Sequence, residues 1–174
     1  MSKLSLWAAL GLTLASGTAL AAEAVIPMDS IDANGAIGRI GSLAVKDTKG
    51  GLLVTPRLTG LTPGPHGFHI HENPSCAAKE QDGKPVPGLA AGGHFDPAMT
   101  GKHEGPWGHG HDGDMPALAV NGDGSAGDPV LVPRLKVADL KGRSVVIHAG
   151  ADNYSDQPKP LGGGGPRIAC GVVP

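Results

Sequence analysis

Histidine is confined to one part of this 174-residue chain, since all eight histidines lie between positions 66 and 148. His69 and His71 are two residues apart in a short apolar run, and residues at this spacing in a β-strand project from the same face of the sheet. Neutral imidazole binds zinc, copper, iron and nickel. A lone histidine is usually structural, whereas this pair with six others nearby predicts a metal site.

A second set of metal ligands lies in a long segment without clear periodicity, residues 73–115. It contains His94, His103, His111 and Asp114. Three imidazoles and one carboxylate complete the tetrahedral shell of a structural zinc site, with no position left for a substrate water. His148 ends a later apolar run. We interpret it as a metal ligand because the histidine pair in the earlier run offers it partners.

The elements that would carry these residues are short strands. Glycine (29 residues) and proline (16 residues) are spread along the chain, and no stretch keeps apolar residues at helical spacing. Alternating residues and turn signals predict eight strands, at 24–32, 36–45, 52–58, 67–72, 116–120, 130–135, 144–148 and 167–173. Such a series is typical of an all-β barrel or sandwich. Two long loops, 73–115 and 149–166, interrupt the series, and we expect them to be functional.

The first 22 residues are predicted to be a cleaved signal peptide, which leaves residues 23–174 as one domain. They contain Lys3 as the single charge, an apolar stretch from Leu4 to about Leu14, and small residues at an Ala-x-Ala cleavage site. The alternative is a membrane anchor. The apolar stretch is shorter than the roughly 20 residues that a spanning helix needs, so we expect no stable membrane insertion after cleavage.

The two cysteines and the net charge narrow the class of protein further. Cys76 and Cys170 form an even pair in a chain predicted to enter an oxidising compartment, which favours a disulfide. The formal net charge of −2 at pH 7 argues against a nucleic-acid partner, because such a partner requires a basic surface.

Four segments resemble the sequence signatures of the copper/zinc superoxide dismutases, in the order found in that family. They are Gly67–Glu72, Gly92–Pro97, Gly142–His148 and Gly165–Gly171. The resemblance covers nearly all of residues 23–174 and is strongest to the bacterial periplasmic branch. It implies an eight-stranded Greek-key β-barrel or sandwich and a periplasmic location.

The resemblance also implies two adjoining metal sites in each subunit. One copper ion would be held by His69, His71, His94 and His148, and one zinc ion by His94, His103, His111 and Asp114. His94 would belong to both sites through its two ring nitrogens. The implied reaction converts superoxide into oxygen and hydrogen peroxide, with copper alternating between its cupric and cuprous forms and His94 carrying a proton to the product.

Further roles follow from the same resemblance. Arg167 would draw in and orient the small anionic substrate, since an arginine side chain is always charged. Asp152 would accept hydrogen bonds from one copper histidine and one zinc histidine and so fix their orientation. Lys159 is a weaker candidate for attracting the anion. The disulfide would hold the first long loop near the metals.

Two other functions stay open at this point. A copper store or copper-delivery domain could use the same fold, although it would not need Arg167. A zinc hydrolase would need an open metal position and a general base, which the predicted ligand sets do not provide. The sequence leaves the oligomeric state undecided, with a homodimer as one alternative, and it does not assign His109 or Asp112, two extra candidate ligands beside the zinc set.

Overall fold

The structure is a computed structural model that describes residues 21–174. The predicted signal peptide falls almost entirely outside these residues, so its cleavage stays a prediction. Among the described residues, no helix is long and apolar enough to span a membrane.

The described part of the chain forms eleven β-strands and three short 3₁₀ helices. The strands are β1 (Glu23–Asp32), β2 (Gly35–Thr48), β3 (Gly51–Leu58), β4 (Gly64–His66), β5 (Phe68–His71), β6 (Lys79–Gln81), β7 (Lys84–Val86), β8 (Leu118–Val120), β9 (Val130–Val132), β10 (Ser144–His148) and β11 (Arg167–Val172). The 3₁₀ helices are Leu89–Ala91, Val137–Leu140 and Leu161–Gly163. The predicted all-β class is confirmed.

Seven of the strands form one sheet in the order β5-β10-β11-β1-β2-β3-β9. The sheet curls around a core in which the large, fully buried side chains include Ile26, Leu43, Leu52, Phe68, Leu118 and Ile147. Strand β4 continues towards β5 and pairs with β8. Residues on one face of each strand therefore face this core, and the other face is available for polar side chains.

The observed strands differ in detail from the eight predicted, and that count is not confirmed. The strand predicted at 67–72 corresponds to β5, and an unpredicted short strand, β4, precedes it. Gly67 separates the two, and its N–H donates to Gly150 O (2.8 Å) in the second long loop. The strands β6 and β7 form an exposed hairpin inside the first long loop. The alternation of apolar and polar residues did not predict this hairpin, because neither strand has a buried face.

The two cysteines form a disulfide, as predicted. Cys76 lies in the first long loop and Cys170 on β11, so the bridge ties that loop to the central part of the sheet. Ile31, Ala91 and Val146 pack around it in a small apolar cluster separate from the main core. This cluster lies on the side of the sheet where the loop approaches the histidines.

Candidate metal centre

Two neighbouring strands place three of the histidines. On β5, Phe68 and Ile70 belong to the core, so the alternate residues His69 and His71 project from the opposite face. Strand β10 pairs antiparallel with β5, and His148 is its last residue. All three imidazoles are buried.

The first long loop brings His94 against this strand pair. A single β-bridge joins His71 to His94, and the ring of His94 stacks on that of His69 with 4.0 Å between the centroids. Potential ligand atoms of four side chains lie within 4.8 Å of one another, those of His69, His71, His94 and His148. These are the four residues predicted to bind copper.

The same loop also supplies the second group. A β-bridge between His69 and Asp114 places the Asp114 carboxylate beside the strand pair. Ligand atoms of His69, His94, His103 and Asp114 lie within 4.8 Å of one another. His111, the remaining predicted zinc ligand, is not in this group, although its Nδ1 lies 3.4 Å from Oδ1 of Asp114 and its ring centroid 5.3 Å from that of His94.

Six buried imidazole nitrogens at this centre have no partner in hydrogen-bond geometry. They are Nδ1 of His69, Nε2 of His71, Nε2 of His94, Nδ1 of His103, Nδ1 of His111 and Nε2 of His148. Two of them, Nδ1 of His103 and Nδ1 of His111, lie 3.0 Å and 3.4 Å from the Asp114 carboxylate but are not aligned for a hydrogen bond with it. An unpaired buried polar atom is costly, and one such atom on each of six neighbouring rings calls for an explanation. Bound metal ions would satisfy them, so the residues present fit the two metals predicted from the sequence.

Hydrogen bonds on the far side of the rings determine which nitrogen is free. His71 donates from Nδ1 to Gly92 O (3.0 Å), and His148 donates from Nδ1 to Gly165 O (2.9 Å). A carbonyl only accepts, so each Nδ1 carries the proton and each Nε2 retains its lone pair. The ligand atom of each ring is thus set by a backbone group outside the site.

Asp152 performs the same function for one residue of each group. Its Oδ2 accepts from Nε2 of His69 (2.7 Å) and its Oδ1 accepts from Nε2 of His103 (2.8 Å). The carboxylate is fully buried. Gly162, at φ +71°, makes room for it, because a Cβ there would lie 2.0 Å from Oδ1 of Asp152.

Charge at the centre follows from burial and from these pairs. Burial, together with the nearby His94, lowers the pKa of His69 to about 3. Burial likewise lowers the pKa of His148 to about 4 and brings the pKa values of His71 and His94 below the ordinary value. These four imidazoles are therefore neutral at pH 7, the form that binds metal.

The charged side chains at the centre lie in and beside the group that contains His103 and Asp114. Burial raises the pKa of Asp114 and Asp152, but close contacts with neighbouring histidine side chains outweigh it and hold both pKa values well below the usual range. Burial lowers the pKa of His103, yet its contacts with Asp114 and Asp152 raise that pKa to about 9. One predicted zinc ligand, Asp114, and the neighbouring Asp152 are thus negatively charged, and both carboxylates offset the charge of a cation.

Arg167 lies next to the copper-type group. It is the partner of His148 in the pairing of β10 with β11, and its guanidinium donates to Gly88 O (2.5 Å) and Gly92 O (2.7 Å). Gly92 O accepts from both His71 and Arg167. Burial lowers the pKa of Arg167 from its ordinary value, but an arginine stays charged at neutral pH.

The two unassigned candidate ligands lie outside both groups. His109 is exposed, and its backbone N–H donates to the Glu104 carboxylate (3.0 Å). Asp112 forms an ion pair with Arg134 (3.3 Å). His66 is buried with Nδ1 2.7 Å from His148 O and Nε2 2.8 Å from Thr62 O, which is a structural position.

Sequence reasoning missed several residues that support the centre. Asp156 accepts from the backbone N–H of His103 (2.9 Å), Tyr154 Oη accepts from the N–H of Ala117 (2.9 Å), and Arg134 contacts the loop that carries His111. Each is a polar residue outside the strands, and residue type and spacing give no signal for such contacts.

A curled β-sheet with two adjoining histidine clusters on its outer face defines a metalloprotein built for more than one metal ion. The family model for copper/zinc superoxide dismutase (SODC) matches residues 39–173, and the chain belongs to that family. It is therefore an oxidoreductase that dismutates superoxide and uses copper and zinc.

The sequences of known relatives align with most or all of this chain. Cu-Zn superoxide dismutase 2 of Salmonella typhimurium is 53% identical over 174 residues, which cover 99% of each chain. The solved Cu/Zn superoxide dismutase from Brucella abortus is 49% identical with a TM-score of 0.86, covering 88% of this chain and all of the other. The monomeric copper, zinc superoxide dismutase from Salmonella enterica, solved in solution, is 53% identical with a TM-score of 0.80 and the same coverage.

Proposed function

We propose that His69, His71, His94 and His148 hold the copper ion and that His94, His103, His111 and Asp114 hold the zinc ion. The observation that carries this assignment is the set of six buried imidazole nitrogens that have no partner in hydrogen-bond geometry. Four of these atoms belong to the first set of residues, and the other two belong to His103 and His111. Asp114, with its lowered pKa, supplies the one anionic ligand. Four imidazoles suit copper, and three imidazoles with a carboxylate suit zinc.

The residue shared by the two metals is His94 in this proposal. Both His69 and His94 lie close enough to take part in either group. His69 has a single free nitrogen, because its Nε2 is bonded to Asp152. His94 has Nε2 free on the copper side, and its Nδ1 lies 2.9 Å from Oδ1 of Asp114, a predicted zinc ligand. This arrangement supports His94, and not His69, as the shared residue.

Copper, when bound, supplies the one-electron redox chemistry, since zinc has no accessible redox change. The chain's own residues supply protons and direct the substrate. Two superoxide ions and two protons give one oxygen and one hydrogen peroxide, and we assign one proton to Nε2 of His94, which takes it up and releases it to the product. Arg167 provides a fixed positive charge beside the site that attracts and orients the anion.

Removal and return of the metals test this assignment. Chelator treatment of the purified protein is expected to abolish rapid superoxide decay, and refilling with copper and zinc is expected to restore it, whereas zinc alone is not. Metal content is measured in each state alongside the rate of superoxide decay. Tight binding of copper without acceleration of the decay would contradict the assignment and favour copper storage instead.

Substitution of Arg167 by serine tests the steering role. We expect a slower reaction that is less sensitive to ionic strength, with both metals retained, because attraction between an anion and a fixed charge is screened by salt. Enzymes of this family are a standard example of such steering. The rate is measured over a range of salt concentrations. Loss of copper, or full activity with unchanged salt dependence, would mean that Arg167 has a different role.

We further propose that residues 1–22 are a signal peptide removed on export to the periplasm, leaving the domain 23–174. The apolar stretch, the single Lys3 and the Ala-x-Ala site support this. The N-terminal residue of the protein recovered from cells is expected to be Ala22 or Glu23, and an intact Met1 would contradict export.

The solved Salmonella enterica relative is described as monomeric, so family membership does not imply a dimer, and the homodimer stays a prediction.

A further inference from the structure

Arg134 lies outside the metal centre, two residues after the end of β9, yet its side chain reaches the loop that carries the zinc ligands. The side chain is only 22% exposed. Its Nη1 donates to Gly110 O (2.9 Å), and its Nη2 donates to Gly105 O (3.2 Å) and to His111 O. One guanidinium thus donates hydrogen bonds to three carbonyl groups that are up to six residues apart in the chain.

The loop between His103 and Asp114 forms no strand, so no ladder of backbone bonds fixes its shape. The His111 N–H donates across the base of the loop to Lys102 O (2.9 Å), and Gly110 passes so close that a Cβ would lie 2.1 Å from that same oxygen. The carbonyl groups in the middle of the loop are directed towards Arg134. Without it, buried acceptors at Gly105 and Gly110 would lose these partners, which is costly.

The Nη1 that donates to Gly110 O also forms an ion pair with Asp112 in the same loop (3.3 Å). This contact also accounts for Asp112, which is bonded away from the metal groups. A planar group with five donors in a fixed arrangement can serve several carbonyls at once, whereas a lysine ammonium acts as a single point charge.

We infer that Arg134 is a positioning residue for the zinc site, one that sets the backbone at His111 so that Nδ1 faces Asp114. This inference rests on the zinc assignment proposed above. A residue 23 positions away in the chain would thus support the position of a metal ligand. Partners that orient metal ligands in this way typically contribute about tenfold to hundredfold to metal affinity.

The test compares zinc release from the metal-loaded protein to a colorimetric chelator, with copper content and hydrogen exchange of the segment 102–113 measured in parallel. Arg134→Met is expected to release zinc about tenfold to hundredfold faster than the wild type while copper is retained. Exchange in that segment should rise. Arg134→Lys should restore only a small part of the zinc retention, because it cannot hold three carbonyls.

Matched variants separate the possible causes. Asp112→Asn removes the ion pair but leaves the carbonyl contacts, so its zinc release should stay close to that of the wild type. Arg39→Met removes an arginine from an exposed ion pair with Asp29 and should change nothing. The proposed role of the three carbonyl contacts would be wrong if either variant released zinc as fast as Arg134→Met. It would also be wrong if Arg134→Lys released zinc as slowly as the wild type.

His111→Gln distinguishes failure of this inference from failure of the zinc assignment. If His111→Gln loses zinc and Arg134→Met retains it with unchanged exchange, the zinc site stands and the role of Arg134 is overturned. If His111→Gln itself retains zinc at the wild-type rate, both the zinc assignment and the inference about Arg134 are overturned. Rapid release from both variants, with copper kept in Arg134→Met, supports the two together.

Discussion

Replacement of His71 by glutamine is expected to reduce superoxide decay to the rate of the copper-free protein, a loss of roughly three orders of magnitude or more. The imidazole is fully buried, its Nδ1 is bonded to Gly92 O, and its Nε2 is one of the unpaired nitrogens. A glutamine side chain offers an amide oxygen, which is a poor ligand for copper compared with imidazole. Copper content and the rate of superoxide decay are measured on the same preparation.

His109→Gln is the matched control for that substitution. It makes the same chemical change in the same part of the chain, but at an exposed residue that belongs to neither metal group. We expect full activity and full metal content. Normal copper binding by His71→Gln, or equal losses in the two variants, would show that the copper site has been assigned to the wrong residues.

Removal of the disulfide by the double substitution Cys76→Ser and Cys170→Ser is expected to lower the free energy of unfolding by about 2–5 kcal/mol. The bridge spans a sequence separation of 94 residues, so it restricts a large part of the unfolded chain. For a domain of this size, the loss corresponds to a fall in Tm of roughly 10 °C. Thermal unfolding of the metal-loaded protein measures the change.

A reducing agent provides the control for the disulfide. It should lower the Tm of the wild type towards that of the double variant and leave the double variant unchanged. An unaltered Tm in the double variant would mean that the metals and the core hold the first long loop without the bridge. The loop carries Gly88 and Gly92, the two carbonyl partners of Arg167, so a loosened loop should also reduce activity.

The sequence was sufficient to predict the all-β class and the disulfide, and it identified the candidate metal-binding residues. His69 and His71 could be paired because a strand has a period of two, and this local rule holds in any tertiary context. The cysteines could be paired because the sequence contains only two of them. The remaining ligands were predicted through the order of four motifs that resemble a known family.

Only the tertiary structure shows which atoms of those residues are free and which neighbouring residues contact them. Which nitrogen of each ring is free depends on Gly92, Gly165 and Asp152, none of them adjacent in the chain to the histidine it contacts. The exclusion of His109 and the pairing of Asp112 with Arg134 depend on the path of a loop that forms no strand. Local patterns cannot predict such contacts, because a loop's path is set by hydrogen bonds to distant segments, whereas the period of a strand is set by its own backbone.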